Sequence, residues 1–144
     1  MTNQLDYKEI IFAIGDAVVV SDSEGLIRLW NPSAEKMFGF SSNEAIGQSL
    51  DIITPKRHQN RHWEGYKRTM STGVTKYGDS VLRVPANRKD GRSLSIAFTV
   101  SLIFDQLRNV SLIVAVIRDE SEQFEKDREF KRRILELELL IKVS

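Results

Sequence analysis

The chain has no cysteine and only two histidines, three prolines and eight glycines among its 144 residues. Without cysteine there are no disulfides, no thiolate metal sites and no thiol nucleophile. No apolar run approaches the roughly 18 residues that mark a membrane span. The first residues, Met1-Thr2-Asn3-Gln4-Leu5-Asp6, have neither the basic start nor the apolar core of an export signal. The expected compartment is therefore the cytoplasm. A net charge of +1, with basic and acidic residues interspersed, gives no electrostatic case for nucleic acid or an acidic membrane. There is no glycine-rich phosphate loop and no Gly-x-Ser-x-Gly elbow, and neither histidine has a nucleophile at a defined spacing. No enzyme is expected.

What is present is one ordinary globular domain's worth of chain, 41% hydrophobic and 28% charged. Residues 5–15 carry Leu5, Ile10, Ile11, Phe12 and Ile14, and predict a short helix. Ala17 to Ser21 and Leu26 to Trp30 predict two strands of a hairpin around Asp22-Ser23-Glu24-Gly25. Asn31-Pro32 opens a helix, with asparagine as cap and proline in the first turn, that ends near Gly39. Ser41-Ser42-Asn43-Glu44 has the form of a capping box before one turn that stops at Gly47. Leu50 to Ile53 predicts a further turn closed by Pro55, and Lys56 to Thr72 a single helix ended by Gly73.

Beyond Gly73 the period changes from 3.6 to 2. Val81 to Val84 predicts a strand and Asn87 to Gly91 a turn. Leu94, Ile96, Phe98, Val100 and Leu102 then alternate with Ser95, Ala97, Thr99 and Ser101, the clearest strand pattern in the chain. Leu107-Arg108-Asn109 predicts a turn before a last strand, Ser111 to Ile117. Two strands, several short helices, then three antiparallel strands make an α+β layout. The expected organisation is an N-terminal helical cap over 1–15, a domain over 16–120 and a charged helix over 121–144. In that last helix Phe130, Ile134, Leu137 and Ile141 follow 4-3-4 spacing, a seam of about two heptads. So short a helix needs a partner, either its own sheet or a second copy of the chain.

Both imidazoles, the only strong soft-metal ligands, fall in the stretch Lys56 to Tyr66. On a helical wheel with His58 at zero, His62 lies at about 40°, Tyr66 at about 80°, Met70 at about 120° and Trp63 at about 140°. Arg57, Arg61, Glu64 and Arg68 cluster on the opposite side. His62 is thus the histidine able to point into a core, where a buried imidazole needs partners for its nitrogens. A core hydrogen bond to a carbonyl would meet that need, and so would iron. His58 and His62 are also at i, i+4, but zinc would need carboxylates to complete its ligand set.

Four pieces of the chain are similar to the PAS sensor domain family over about residues 10–125. They are Asp16 to Asp22, the joint Trp30 to Phe40, the turn Arg88-Lys89-Asp90-Gly91-Arg92, and Val116-Ile117-Arg118-Asp119-Glu120-Ser121. The resemblance implies a five-stranded antiparallel sheet with short helices on one face. Arg61-His62, followed by Ser71-Thr72-Gly73, resembles the ligand-bearing helix of the haem-binding PAS domains, among them rhizobial oxygen-sensor kinases and carbon-monoxide-responsive regulators. By that resemblance the cofactor would be haem b, His62 its proximal iron ligand, and Arg68 the partner of a propionate. Tyr66 would adjoin the ligand, and Leu82 would stand where the oxygen sensors carry a distal arginine. Phe98, Val100, Ile113 and Ala115 would line the gas side.

Arg83, one position out of phase, would face away. An apolar pocket gives no hydrogen bond to dioxygen, which relatively favours carbon monoxide or nitric oxide. Tyr77, Arg83 or a water is the remaining source of a donor. Met1, Met37 and Met70 do not fall on the sheet, so a methionine ligand opposite the histidine does not carry over, and flavin–thiol photochemistry lacks its cysteine. The function implied is sensing of a diatomic gas (carbon monoxide, nitric oxide or dioxygen), with a homodimer formed through the C-terminal helix and the signal read by an effector domain or protein. The alternative is a cofactor-free module, or one holding a small organic ligand, that acts by protein–protein contact.

Overall fold

A computed structural model describes residues 4–75 and 80–143. The elements are α1 (Tyr7–Ala13), β1 (Ala17–Asp22), β2 (Ile27–Trp30), α2 (Pro32–Phe38), α3 (Ser42–Ala45), α4 (Gln59–Thr72), β3 (Leu82–Asn87), β4 (Ser93–Phe104), β5 (Val110–Asp119) and α5 (Ser121–Val143). Two 3₁₀ turns, Leu50–Ile52 and Lys56–His58, lie between α3 and α4. The strands form one antiparallel sheet in the order β2-β1-β5-β4-β3. No helix among the described residues is long and apolar enough to cross a membrane.

Local chemistry accounts for the boundaries. Asn31 caps α2 by accepting the Ala34 N–H at 3.0 Å. Ser41 and Glu44 form the reciprocal capping box of α3. Gly73 closes α4 in the left-handed conformation at φ 70, which glycine adopts without a side-chain clash.

Two expectations are corrected here. The helix begins as a separate 3₁₀ turn, Lys56–His58, directly after Pro55, and becomes α-helical only from Gln59. His58 therefore sits at the helix start without a side-chain cap. The strand expected to end at Val84 runs on through Pro85 to Asn87. As the edge strand it can hold a proline, because its outer side has no ladder bond to lose.

Register places the candidate pocket residues on a common face. Leu82 pairs with Phe98, Phe98 with Ile117, Val100 with Ala115, Leu102 with Ile113, and Ile113 with Ser21 of β1. Side chains of directly paired residues point the same way. This inner face is covered by two apolar groups. The larger joins Ile27, Trp30, Phe38 and Ile53 to Leu94, Ile96 and Ile117, with Phe98 and Ala115 at its margin. The smaller sets Tyr66, Trp63 and Met70 of α4 against Val100, Leu102, Val110 and Ile113. Leu50 touches both.

α5 leaves the domain from a firm root and then touches little. Glu120 N–H bonds the Ser95 carbonyl at 2.8 Å, and Ser95 N–H bonds Ser121 Oγ at 3.0 Å. No residue of α5 is buried. Phe130, Ile134, Leu137 and Ile141 are 67%, 40%, 51% and 73% exposed, so the stripe is not folded back on its own sheet.

Candidate functional site

Three polar anchors hold α4 over the end of the sheet where β1 meets its turn. Tyr66 is buried, with its hydroxyl 2.9 Å from Ser21 Oγ and hydrogen-bonded to the Asp22 carbonyl. Burial raises the Tyr66 phenol above its ordinary pKa, and the Ser21 contact works against that rise. Three residues earlier, the Trp63 indole N–H donates to Asp51 Oδ1 at 2.7 Å. The far edge of that indole rests on Gly25 of the β1–β2 turn, so closely that a methyl group there would overlap the ring. Gly25 lies at φ 80, which a side chain would also resist.

His62 stands beside this pair. Its ring is 4.7 Å from Trp63 in an edge-on arrangement, and 5.7 Å from Tyr66. Its Nδ1 is buried and has no hydrogen-bond partner. Burial lowers the pKa of His62, and the Asp51 charge partly offsets this. Burial thus favours the neutral imidazole, the state in which a ring nitrogen can ligate a metal. His58 differs: its Nε2 accepts the Arg57 Nε–H at 3.2 Å in the turn before α4.

The expected pocket residues divide between the two apolar groups. Tyr66, Val100 and Ile113 come together beneath α4, while Phe98 and Ala115 edge the larger group. Leu82, paired with Phe98, is only partly buried, as are Phe98, Val100 and Ala115. The inner face thus keeps accessible apolar surface beside the filled core. Arg83 faces away, as expected, and pairs with Glu120 at 3.2 Å. Arg68 is exposed on α4 with no carboxylate partner among the described residues. Its carbonyl accepts the Ser71 and Thr72 hydroxyls at 3.1 and 2.8 Å. Tyr77 lies outside the described residues.

Sequence reasoning missed Asp51, Gly25 and Ser21. None has a local pattern that announces it, since each meets α4 only through the fold. A separate open groove of about 500 Å³ lies beyond the C-terminus of α4, lined by Met70, Gly73, Phe104, Arg108 and Val110, and includes neither histidine.

The chemistry of the donor set is compatible with a haem. The His62 imidazole has a buried nitrogen in need of a partner, apolar sheet residues are incompletely covered, and Arg68 of the same helix is exposed without a carboxylate partner among the described residues.

Comparisons with known proteins bear on the fold and family. The PAS fold family matches over residues 5–119. The sensor protein FixL of Bradyrhizobium diazoefficiens is 30% identical over 99 residues, covering 69% of this chain and 20% of that protein. The oxygen sensor protein DosP of Escherichia coli is 23% identical over 124 residues, covering 86% of this chain and 15% of that protein. The chain thus spans a fifth or less of the length of these two relatives. Among solved structures, a PAS domain from Colwellia psychrerythraea aligns with TM-score 0.70 at 21% identity, over 81% of this chain and 95% of that one. An RNA-binding light-oxygen-voltage receptor aligns with TM-score 0.73 at 13% identity, over 93% of this chain and 40% of that one. At such identities these two structures speak to fold alone.

Proposed function

Because this chain belongs to the PAS family, we propose that it is a haem b-binding sensor module for a diatomic gas in bacterial-type signal transduction, with His62 as the proximal ligand. The observation that carries this reading is the buried, unpartnered imidazole nitrogen of His62. A buried polar atom without a partner costs about 1–3 kcal/mol, so a bound metal would relieve a standing penalty. Haem would supply an open iron coordination position for carbon monoxide, nitric oxide or dioxygen.

The chain's residues do the rest. His62 offers a neutral nitrogen from a helix fixed at Tyr66 and Trp63. Leu82, Phe98, Val100, Ile113 and Ala115 exclude water and offer no hydrogen bond to the gas. Arg68 would meet a propionate at the surface.

In this reading residues 16–120 are the sensor, 1–15 its cap and 121–144 the output helix, and the module works in the cytoplasm. In this reading the module is not itself an enzyme, and its signal leaves as a change of packing to an effector. The exposed apolar stripe of α5 supports a homodimer, because a stripe of that length seldom stays in water.

A second reading is a cofactor-free or small-organic-ligand PAS module acting by protein contact. It is favoured by Trp63 and Tyr66, which already pack into the space beneath α4. A visible spectrum after haem reconstitution separates the two. A Soret band lost in His62→Ala and kept in His58→Ala supports haem; colourless protein supports the second reading.

A further inference from the structure

We propose that Trp63 is the positioning residue of His62: its indole, anchored on Asp51 and seated on Gly25, aims an imidazole that no hydrogen bond aims. This rests on the reading of His62 as a ligand, but it concerns what orients the ring.

A ligating histidine is usually fixed by donating its other ring N–H to a carboxylate, carbonyl or water. That device is missing here. Neither ring nitrogen of His62 has a hydrogen-bond partner among the described residues, and the nearby carboxylate of Asp51 receives the Trp63 indole N–H instead, at 2.7 Å. What confines the His62 ring is aromatic packing, from Trp63 at 4.7 Å and 70° and from Tyr66 at 5.7 Å and 47°. Edge-to-face geometry of this kind is a preferred arrangement with a definite orientation.

Both confining rings are themselves immobilised. Trp63 is held at one edge by Asp51, at the other by Gly25, and on its flank by Tyr66 at 5.2 Å and 68°. Tyr66 is tied to β1 through Ser21 and Asp22. Orientation therefore passes from the β1–β2 turn and the Leu50–Ile52 turn, through two aromatic rings, to His62. Gly25 is required because any side chain there would expel the indole from its seat.

The test uses the full chain without haem, with labelled histidine, and reads the ring-proton shifts of His62 by NMR. The unmodified chain should give one set of signals, displaced upfield by the neighbouring rings. Asp51→Asn keeps an acceptor for the indole and should preserve that signature. Asp51→Leu removes the acceptor and should shift the signals toward ordinary histidine values or split them. Trp63→Leu should abolish most of the displacement. Should Trp63→Leu fail to fold, the two Asp51 variants decide the matter alone.

Unchanged His62 signals in Asp51→Leu would overturn the proposal. So would an Asp51→Asn spectrum as altered as that of Asp51→Leu, which would assign the effect to charge. As a second readout, haem titration should give a single sharp Soret band for the unmodified chain and Asp51→Asn, and a broadened one for Asp51→Leu. Absence of any Soret band in the unmodified chain would remove the haem reading while leaving the NMR comparison to decide the role of Trp63.

Discussion

Replacing Asn31 with alanine should be among the most damaging single changes in this domain. The side chain is fully buried and makes four hydrogen bonds. Its Oδ1 accepts the Val18 N–H at 2.8 Å and the Ala34 N–H at 3.0 Å, joining β1 to the start of α2. Its Nδ2 donates to the carbonyls of Ile11 and Asp16, both at 3.1 Å, which ties down the end of α1. Loss of the helix cap costs about 1 kcal/mol. The Val18 N–H and the two carbonyls are left with a further penalty on the order of 1–3 kcal/mol for each group that water does not reach. Taking one or two such groups gives about 3–5 kcal/mol, a large part of the ~5–15 kcal/mol that holds a domain together. With a urea m-value of about 2 kcal/mol/M, the unfolding midpoint should fall by roughly 2 M. Amides of α1 should also exchange faster than those of β5. Asn31→Asp should not rescue, because its second oxygen would face the two carbonyls. A loss below about 1 kcal/mol would refute the claim that this residue clasps cap, strand and helix.

Three other outcomes are expected. Ile134→Glu with Leu137→Glu should give a folded monomer by ultracentrifugation that still binds its ligand; an unmodified chain already monomeric at tens of micromolar, roughly the range of a stable pair, would end the dimer proposal. With haem bound, the unmodified chain should take carbon monoxide readily and dioxygen poorly, and Leu82→Arg should tighten dioxygen binding about 10- to 100-fold, equivalent to ~1.5–3 kcal/mol; tight dioxygen binding with slow autoxidation before any change would contradict this. The Lys89 ammonium and the Ser41 N–H hold the Glu44 carboxyl at about 2, against its ordinary 4.5. A depressed folded pKa stabilises above the unfolded value and is lost as pH falls toward the folded one. The melting temperature should therefore drop more steeply between pH 4.5 and about 2 in the unmodified chain than in Glu44→Gln, and parallel curves would refute it.

The sequence showed most of the fold wherever one local rule acted alone. Asn31-Pro32 and Gly39 bracket α2, Ser41 and Glu44 box α3, and alternation from Leu94 to Leu102 marks the inner face of β4. It was less legible where context overrode local preference. Proline reads as a strand breaker, yet Pro85 lies inside β3 because that strand is an edge. The helical period ran back to Lys56, but the segment after Pro55 closes as a 3₁₀ turn. The wheel put Tyr66 and Trp63 on the apolar arc, and they do face the sheet. It could not disclose that Asp51 anchors Trp63, that Gly25 seats it, or that Ser21 meets Tyr66. Those contacts join residues far apart in the chain, and periodicity describes only neighbours. The seam in α5 was visible as spacing, but its exposure depended on where the helix leaves the sheet.

The central claim is that His62 ligates haem iron, and a resonance Raman spectrum of the ferrous, gas-free protein tests it most directly. Protein grown with ¹⁵N-labelled histidine should show an iron–histidine stretching band that moves with the isotope. That band should persist in His58→Ala and vanish in His62→Gly, where added unlabelled imidazole should restore an iron–imidazole band that no longer moves with the protein label. A band that survives His62→Gly, or no isotope-sensitive band in the unmodified chain, would contradict the account.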